Sequence, residues 1–100
     1  MLDEAFSALA NPTRRAIIER LAQGDATVNE LAKPFDISLP AISKHIKVLE
    51  KASLIKQVKS AQYRPCTLNS ETLGALSSWT DHYRHIWAAR FDSMDQILDT

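Results

Sequence analysis

Apolar positions recur at helical spacing through most of this chain, with one break to a β-prone pattern between residues 54 and 68. Residues 3–10 predict a short helix with Phe6, Leu9 and Ala10 on one side. Asn11 is a cap residue and Pro12 suits the first turn of the next helix, which runs to about Ala22. Its Ile17, Ile18 and Leu21 face inward, and Arg14, Arg15 and Arg20 are expected largely outward. Gln23-Gly24-Asp25 breaks it. Thr27-Val28-Asn29-Glu30 is a capping-box sequence, opening a short helix that carries Val28, Leu31 and Ala32. Pro34 and the Phe35-Asp36-Ile37 turn end it.

Ser38 then caps a second helix, with Pro40 in its first turn. Ile42, Ile46 and Leu49 stand at i, i+4, i+7 and form one apolar stripe, and Pro40, Ala41, Ser43, Lys44 and Lys47 point mostly the other way. Any amphipathic surface helix has two such faces. Two short helices joined by a tight turn, the second one basic, form a helix-turn-helix, predicted here over residues 28–52. Small residues on the outward face allow close approach to a groove, serine can bond base edges or phosphates, and lysine neutralises phosphate.

The period then changes. Leu54–Lys59 and Tyr63–Leu68 are β-prone around Ser60-Ala61-Gln62, which predicts a hairpin over 54–68. Pro65 cannot donate a ladder hydrogen bond, so its strand is expected at an edge or a break. A hairpin following a helix-turn-helix is a wing, with Lys56, Lys59, Gln62 and Arg64 on or near it. From 70 to 98 the pattern is helical again. Leu73, Leu76, Thr80, Tyr83, Trp87, Arg90, Met94 and Ile97 alternate at steps of three and four, a heptad-like row that Trp79, Ile86, Phe91 and Leu98 widen. Such a helix either folds back on its own core or pairs with a second copy. The small core of a 100-residue chain favours pairing, with Phe6, Leu9, Leu73, Leu76, Trp79, Tyr83, Ile86, Trp87, Phe91 and Met94 at the interface.

Length and composition bound the rest. One hundred residues, 45% hydrophobic and 24% charged, predict a single mainly α domain over 1–100. No run of 18 apolar residues marks a membrane span, and the acidic start Met1-Leu2-Asp3-Glu4 is unlike a signal peptide. The single cysteine, Cys66, excludes an internal disulfide and fits a reducing cytoplasm. The net charge is zero, which argues against nucleic acid until it is counted by segment. Residues 12–68 hold ten Lys/Arg against five Asp/Glu, a net +5, and the remainder holds two against seven, a net −5. The positive charge thus sits with the helix-turn-helix. With two glycines, no Gly-rich phosphate loop and no paired carboxylates, nothing marks an enzyme.

The combination Leu9-Ala10-Asn11-Pro12-Thr13-Arg14-Arg15-Ala16-Ile17-Ile18, Asn29-Glu30-Leu31-Ala32, Ile37 to Leu49 and Ala52-Ser53-Leu54-Ile55 resembles the ArsR-type family of bacterial winged-helix repressors over about residues 5–70. The resemblance implies a homodimer joined by its first helix (3–10) and last helix (70–98), operator DNA as partner, and release by an effector. It departs from the family's metal sensors. Thr27 and Asn29 stand where those members carry paired cysteines, and both are poor ligands for a soft metal. His82 and His85 lie near Asp81 without the zinc spacing of other members, so neither a metal nor a cofactor is expected. His45 is expected to pack on its helix or to bond a phosphate. Arg64 could lower the pKa of Cys66 and make it redox-active, although no second cysteine would resolve an oxidised form.

The sequence therefore predicts a sequence-specific, homodimeric DNA-binding repressor that is not metal-responsive. Ser38, Pro40, Ala41, Ser43, Lys44, His45 and Lys47 would form its reading helix, flanked by Thr27, Lys56, Lys59, Gln62 and Arg64. The alternative is a winged-helix interaction module without DNA binding. The effector stays open between a small organic ligand in the dimer interface, a protein partner, and none.

Overall fold

The computed structural model describes residues 2–58 and 64–98, with side chains through Phe91. The order is α1 (Leu2–Leu9), α2 (Pro12–Leu21), α3 (Val28–Ala32), α4 (Leu39–Lys51), β1 (Ile55–Gln57), β2 (Cys66–Leu68) and α5 (Ser70–Leu98). This is a mainly helical winged helix-turn-helix with a two-stranded wing.

Local chemistry sets the boundaries. The Asn11 side chain accepts from the Arg14 N–H at 3.1 Å, with Pro12 just inside α2. Glycine is required at Gly24, whose φ of 146° lies where side chains are disfavoured, in the turn that ends α2. At α3 the capping box is complete: the Glu30 N–H donates to Thr27 Oγ1 at 3.3 Å, and the Thr27 N–H donates to Glu30 Oε1 at 3.1 Å. Ser38 Oγ accepts the Ala41 N–H at 3.3 Å and starts α4.

The far end of α4 closes in a Schellman arrangement. Ser53 N–H donates to Glu50 C=O at 2.9 Å and Leu54 N–H to Leu49 C=O at 3.0 Å, with Ser53 left-handed at φ 62°. Leu49 and Leu54 are both fully buried, which supplies the apolar contact of that arrangement.

Ile17, Leu31, Ile42, Ile46, Leu49, Leu54 and Ile55 form the centre of the core. The inward face of α1 is made of small residues. Ala5 and Ala8 are its buried residues and Leu9 is half-buried, while Phe6 and Ala10 face out. Small side chains let α1 approach the body closely, and Phe6 instead meets Trp79 edge-on at 5.2 Å between ring centroids.

The described strands of the wing have three residues each, and Pro65 lies just before the second. β1 pairs antiparallel with β2 in the register Ile55↔Leu68, Lys56↔Thr67 and Gln57↔Cys66. On its other side, Cys66 exchanges two backbone bonds with Ala26, at 2.7 and 3.2 Å. Pro65 precedes the bridged residue, and its carbonyl still accepts the Val58 N–H at 2.9 Å, so its missing donor opens no gap.

α5 leaves the body. Its first turn is tied down by Asn69, which accepts from the Glu71 N–H and donates to the buried Thr72 hydroxyl, both at 3.3 Å. Leu76, expected at the interface with a second copy, is sealed in the chain's own core at 7% exposure, and Leu73 packs half-buried beside it. Beyond Leu76 the described side chains of α5 are all exposed through Phe91. The radius of gyration is 17.7 Å and the longest extent 64 Å, against about 13 Å expected for a compact chain of this size. No helix among the described residues is long and apolar enough to cross a membrane.

Candidate nucleic-acid interface

The core fixes the orientation of α4. Ile42, Ile46 and Leu49 are buried against the body, which turns Pro40, Lys44 and Lys47 to solvent and leaves Ala41 and Ser43 half-buried at the flanks. Neither Lys44 nor Lys47 is in an ion pair among the described residues. The outward face of α4 is therefore a row of free ammonium groups with small and hydroxylic side chains between them. It holds no carboxylate, because Glu50 is half-buried at the edge of the helix.

His45 sits elsewhere. It is half-buried, with Nδ1 3.3 Å from Nη1 of Arg14. A guanidinium can only donate, so Nδ1 is the acceptor in this contact. Arg14 itself is not outward, contrary to the expectation from periodicity. Its Nε donates to the Ala8 carbonyl at 2.6 Å and its Nη2 reaches the Ser7 carbonyl at 3.5 Å. Arg15 stays exposed, but its Nη1 donates to the Leu9 carbonyl at 2.8 Å. Likewise, Arg20 is half-buried and donates to the Gly24 carbonyl at 3.0 Å. Two consecutive arginines thus satisfy the carbonyls that end α1, a helix with no basic residue in its own last turn. Arg14 also ties α1 and α2 to α4.

Thr27 is occupied by the capping box. Its hydroxyl accepts from the Glu30 N–H and lies 3.0 Å from Glu30 Oε1. On the wing, Lys56 and Arg64 are exposed, while Lys59 and Gln62 lie outside the described residues. Cys66 lies in β2. It is fully buried, and burial pushes its thiol above the usual cysteine range, reinforced by Glu50 and Asp25 and opposed by a hydrogen bond with Gln57. Arg64 is not among those influences, and a buried, protonated thiol is a poor nucleophile.

A second surface lies on α5. Trp79, Tyr83, Ile86, Trp87 and Phe91 are exposed, Trp87 by 52% and Phe91 by 57%. Trp79 and Tyr83 stand 4.6 Å apart between centroids, and Trp87 and Phe91 stack at 5.9 Å. With Phe6 of α1 they form an aromatic strip along one flank. Met94, expected to continue it, has its side chain outside the described residues. His82 and His85 are exposed on the same helix, and among the described residues no three histidine, cysteine or acidic side chains converge as a metal site would require.

Comparison with known proteins agrees with this geometry. A family model described as a helix-turn-helix domain matches residues 9–58, from the end of α1 to the wing. The HTH-type transcriptional regulator Rv2034 of Mycobacterium tuberculosis is 39% identical over 98 residues, covering 98% of this chain and 89% of that protein. The transcriptional repressor SdpR of Bacillus subtilis is 35% identical over 78 residues, covering 78% of this chain and 87% of its own. A crystal structure of an ArsR family transcriptional regulator superposes with a TM-score of 0.78 at 44% identity, covering 87% of this chain and 96% of that one. This chain belongs to the ArsR family of helix-turn-helix, DNA-binding transcriptional regulators, which are not enzymes.

Proposed function

We propose that this protein is a homodimeric repressor that occupies a promoter operator. The carrying observation is the outward face of α4, where Lys44 and Lys47 are exposed and unpaired above a fully buried apolar stripe. In a major groove the two ammonium groups neutralise phosphates, the Ser43 hydroxyl reaches a base edge or phosphate, and Pro40 and Ala41 permit close approach. Ser38 starts the helix at that end, where its capped N-terminus favours an anion. Lys56 and Arg64 flank the groove from the wing, with Lys59 and Gln62 next to them in sequence. His45, held by Arg14, acts as a buttress under the helix. Thr27 supports the reading head through its cap.

Dimerisation follows from the aromatic strip. Phe6, Trp79, Tyr83, Ile86, Trp87 and Phe91 form a contiguous exposed apolar row of the kind that marks an interaction surface. A second copy covers it in a symmetric arrangement, with α5 against α5 and α1 alongside. Two heads so joined address half-sites about one helical turn of DNA apart. Repression is the simplest consequence of occupying a promoter, and SdpR carries that function in its name.

The test is a fluorescence-anisotropy titration of a labelled duplex from the gene's own upstream region against a scrambled duplex, at several salt concentrations. Tight, steeply salt-dependent binding to the upstream duplex alone is expected. Lys44→Ala should weaken binding across sequences and reduce the salt slope by about one unit. Absence of binding to either duplex at low salt would overturn the proposal.

A further inference from the structure

The start of α4 carries two apolar side chains that folding does not use. Ile37 is 41% exposed and Leu39 46% exposed, on either side of the cap residue Ser38. A single exposed aliphatic residue needs no explanation. Here the neighbouring turn residue Phe35 packs against the core, so an apolar interior lies within reach of the same loop, and Ile37 and Leu39 are left outside it. Leu39 is the first residue of α4. It shares a row with Ser43 and Lys47 at i, i+4 and i+8, so it adjoins the cationic face.

On a helix that reads a major groove, the N-terminal residues are the ones that meet base edges. Charge and hydrogen bonding account for Lys44, Lys47 and Ser43 there. Only one feature of a base edge rewards an aliphatic chain, the C5-methyl group of thymine. Resting on the DNA-binding reading above, we infer that Leu39, with Ile37 beside it, is a specificity-determining residue that selects thymine in each half-site by apolar contact with its methyl group. The lysines supply affinity for any duplex, and Leu39 adds a preference that they cannot.

The test starts from a random duplex pool, so the operator sequence is not required. A duplex is selected from the pool by the wild-type full chain and resynthesised with deoxyuridine replacing thymine, one position at a time. Deoxyuridine keeps every hydrogen-bonding group and removes only the methyl. The wild type should lose about fourfold in affinity at one position per half-site, the worth of one buried methyl group, and about nothing at the others. Leu39→Ala should bind the thymine duplex about as the wild type binds the deoxyuridine one, and should show no further loss on removal of the methyl. Leu39→Met keeps an apolar chain and should retain the penalty, a control should Leu39→Ala fold poorly.

Equal wild-type affinity for every deoxyuridine duplex overturns the inference while leaving DNA binding intact. So does a Leu39→Ala protein that keeps the full penalty at the same position. A Leu39→Ala protein that changes oligomeric state without changing methyl dependence also overturns it, and assigns the patch to protein contact. Failure of the pool to enrich at all removes the DNA-binding reading itself.

Discussion

The head of this molecule and the outer half of α5 are both helical with rows of apolar positions, and end in opposite conditions. In the head, from α1 to Leu76, every helix is short, most are capped by a side chain, and a core of apolar side chains is sealed by the chain itself, with Phe6, Ile37, Leu39, Val48 and Val58 left exposed around it. From Ser77 to Phe91 the helix continues with five large apolar side chains exposed. Its own supports are few: an exposed Asp81–Arg84 pair at 3.5 Å, Arg90 over the Trp87 ring at 5.5 Å, and aromatic contacts along one flank. Each is worth at most about 1 kcal/mol on a solvent-exposed helix. In proteins most helical stability comes from packing an amphipathic face against something else. The head is thus stabilised from within, and in the proposed dimer a second copy of the arm is the cover that symmetry provides most directly.

Breaking the head should have the largest effect. Ile46→Ala removes a fully buried side chain from the stripe that seats α4. It should lower unfolding free energy by about 2–5 kcal/mol, measured by chemical denaturation. The loss should persist at protein concentrations low enough to dissociate a dimer. A loss that vanished on dilution would mean that the head, too, is held together by its partner.

Breaking the arm should cost less and show itself differently. Trp87→Ala truncates an exposed ring whose ring contacts among the described residues are with Phe91 and Arg90 of the same helix. The dimer dissociation constant should rise by about thirtyfold, the scale of a 2 kcal/mol hot-spot residue, as read by sedimentation equilibrium. The melting temperature of the wild type should rise with protein concentration, and this dependence should weaken in the variant. A wild type that sediments as a monomer throughout would remove the difference between the two regions.

The same contrast explains what can be read in the sequence. The caps at Asn11, Thr27 and Ser38 and the change of period at 54 are local events, set by residues within four positions of one another, and they stand where the sequence places them. The heptad row of the last helix is equally visible, but its partner is not. Leu76 and Trp79 are three residues apart in one pattern. The first is covered by this chain and the second is left to solvent, a matter of where α5 leaves the body. Arg14 departs from its periodicity for the same reason. Its direction depends on carbonyls at Ser7 and Ala8 and on a histidine 31 residues away. The bridge from Cys66 to Ala26 is not legible beside Pro65, because it is formed by a residue from a distant turn. Within the reading helix, the polar face is legible from periodicity. The exposure of Ile37 and Leu39 is not, since apolar residues beside a cap are expected to pack.

The smallest expected effect sharpens the account of the head. Ser53 holds a left-handed conformation at φ 62° in the turn that ends α4, a place where glycine is the usual residue. The geometry is kept by two backbone bonds and by the burial of Leu49 and Leu54, so the serine is strained for the sake of its neighbours. Ser53→Gly relieves a penalty of about 1–2 kcal/mol for a left-handed side-chain-bearing residue and adds about 0.5–1 kcal/mol of unfolded-state entropy. The net should be a gain of about 0.5–1 kcal/mol in unfolding free energy, with the dimer dissociation constant unchanged. Ser53 lies in the head, so a gain that appeared in dimerisation and not in folding would mean that the end of α4 reports on the arm. The two regions would then be one cooperative unit.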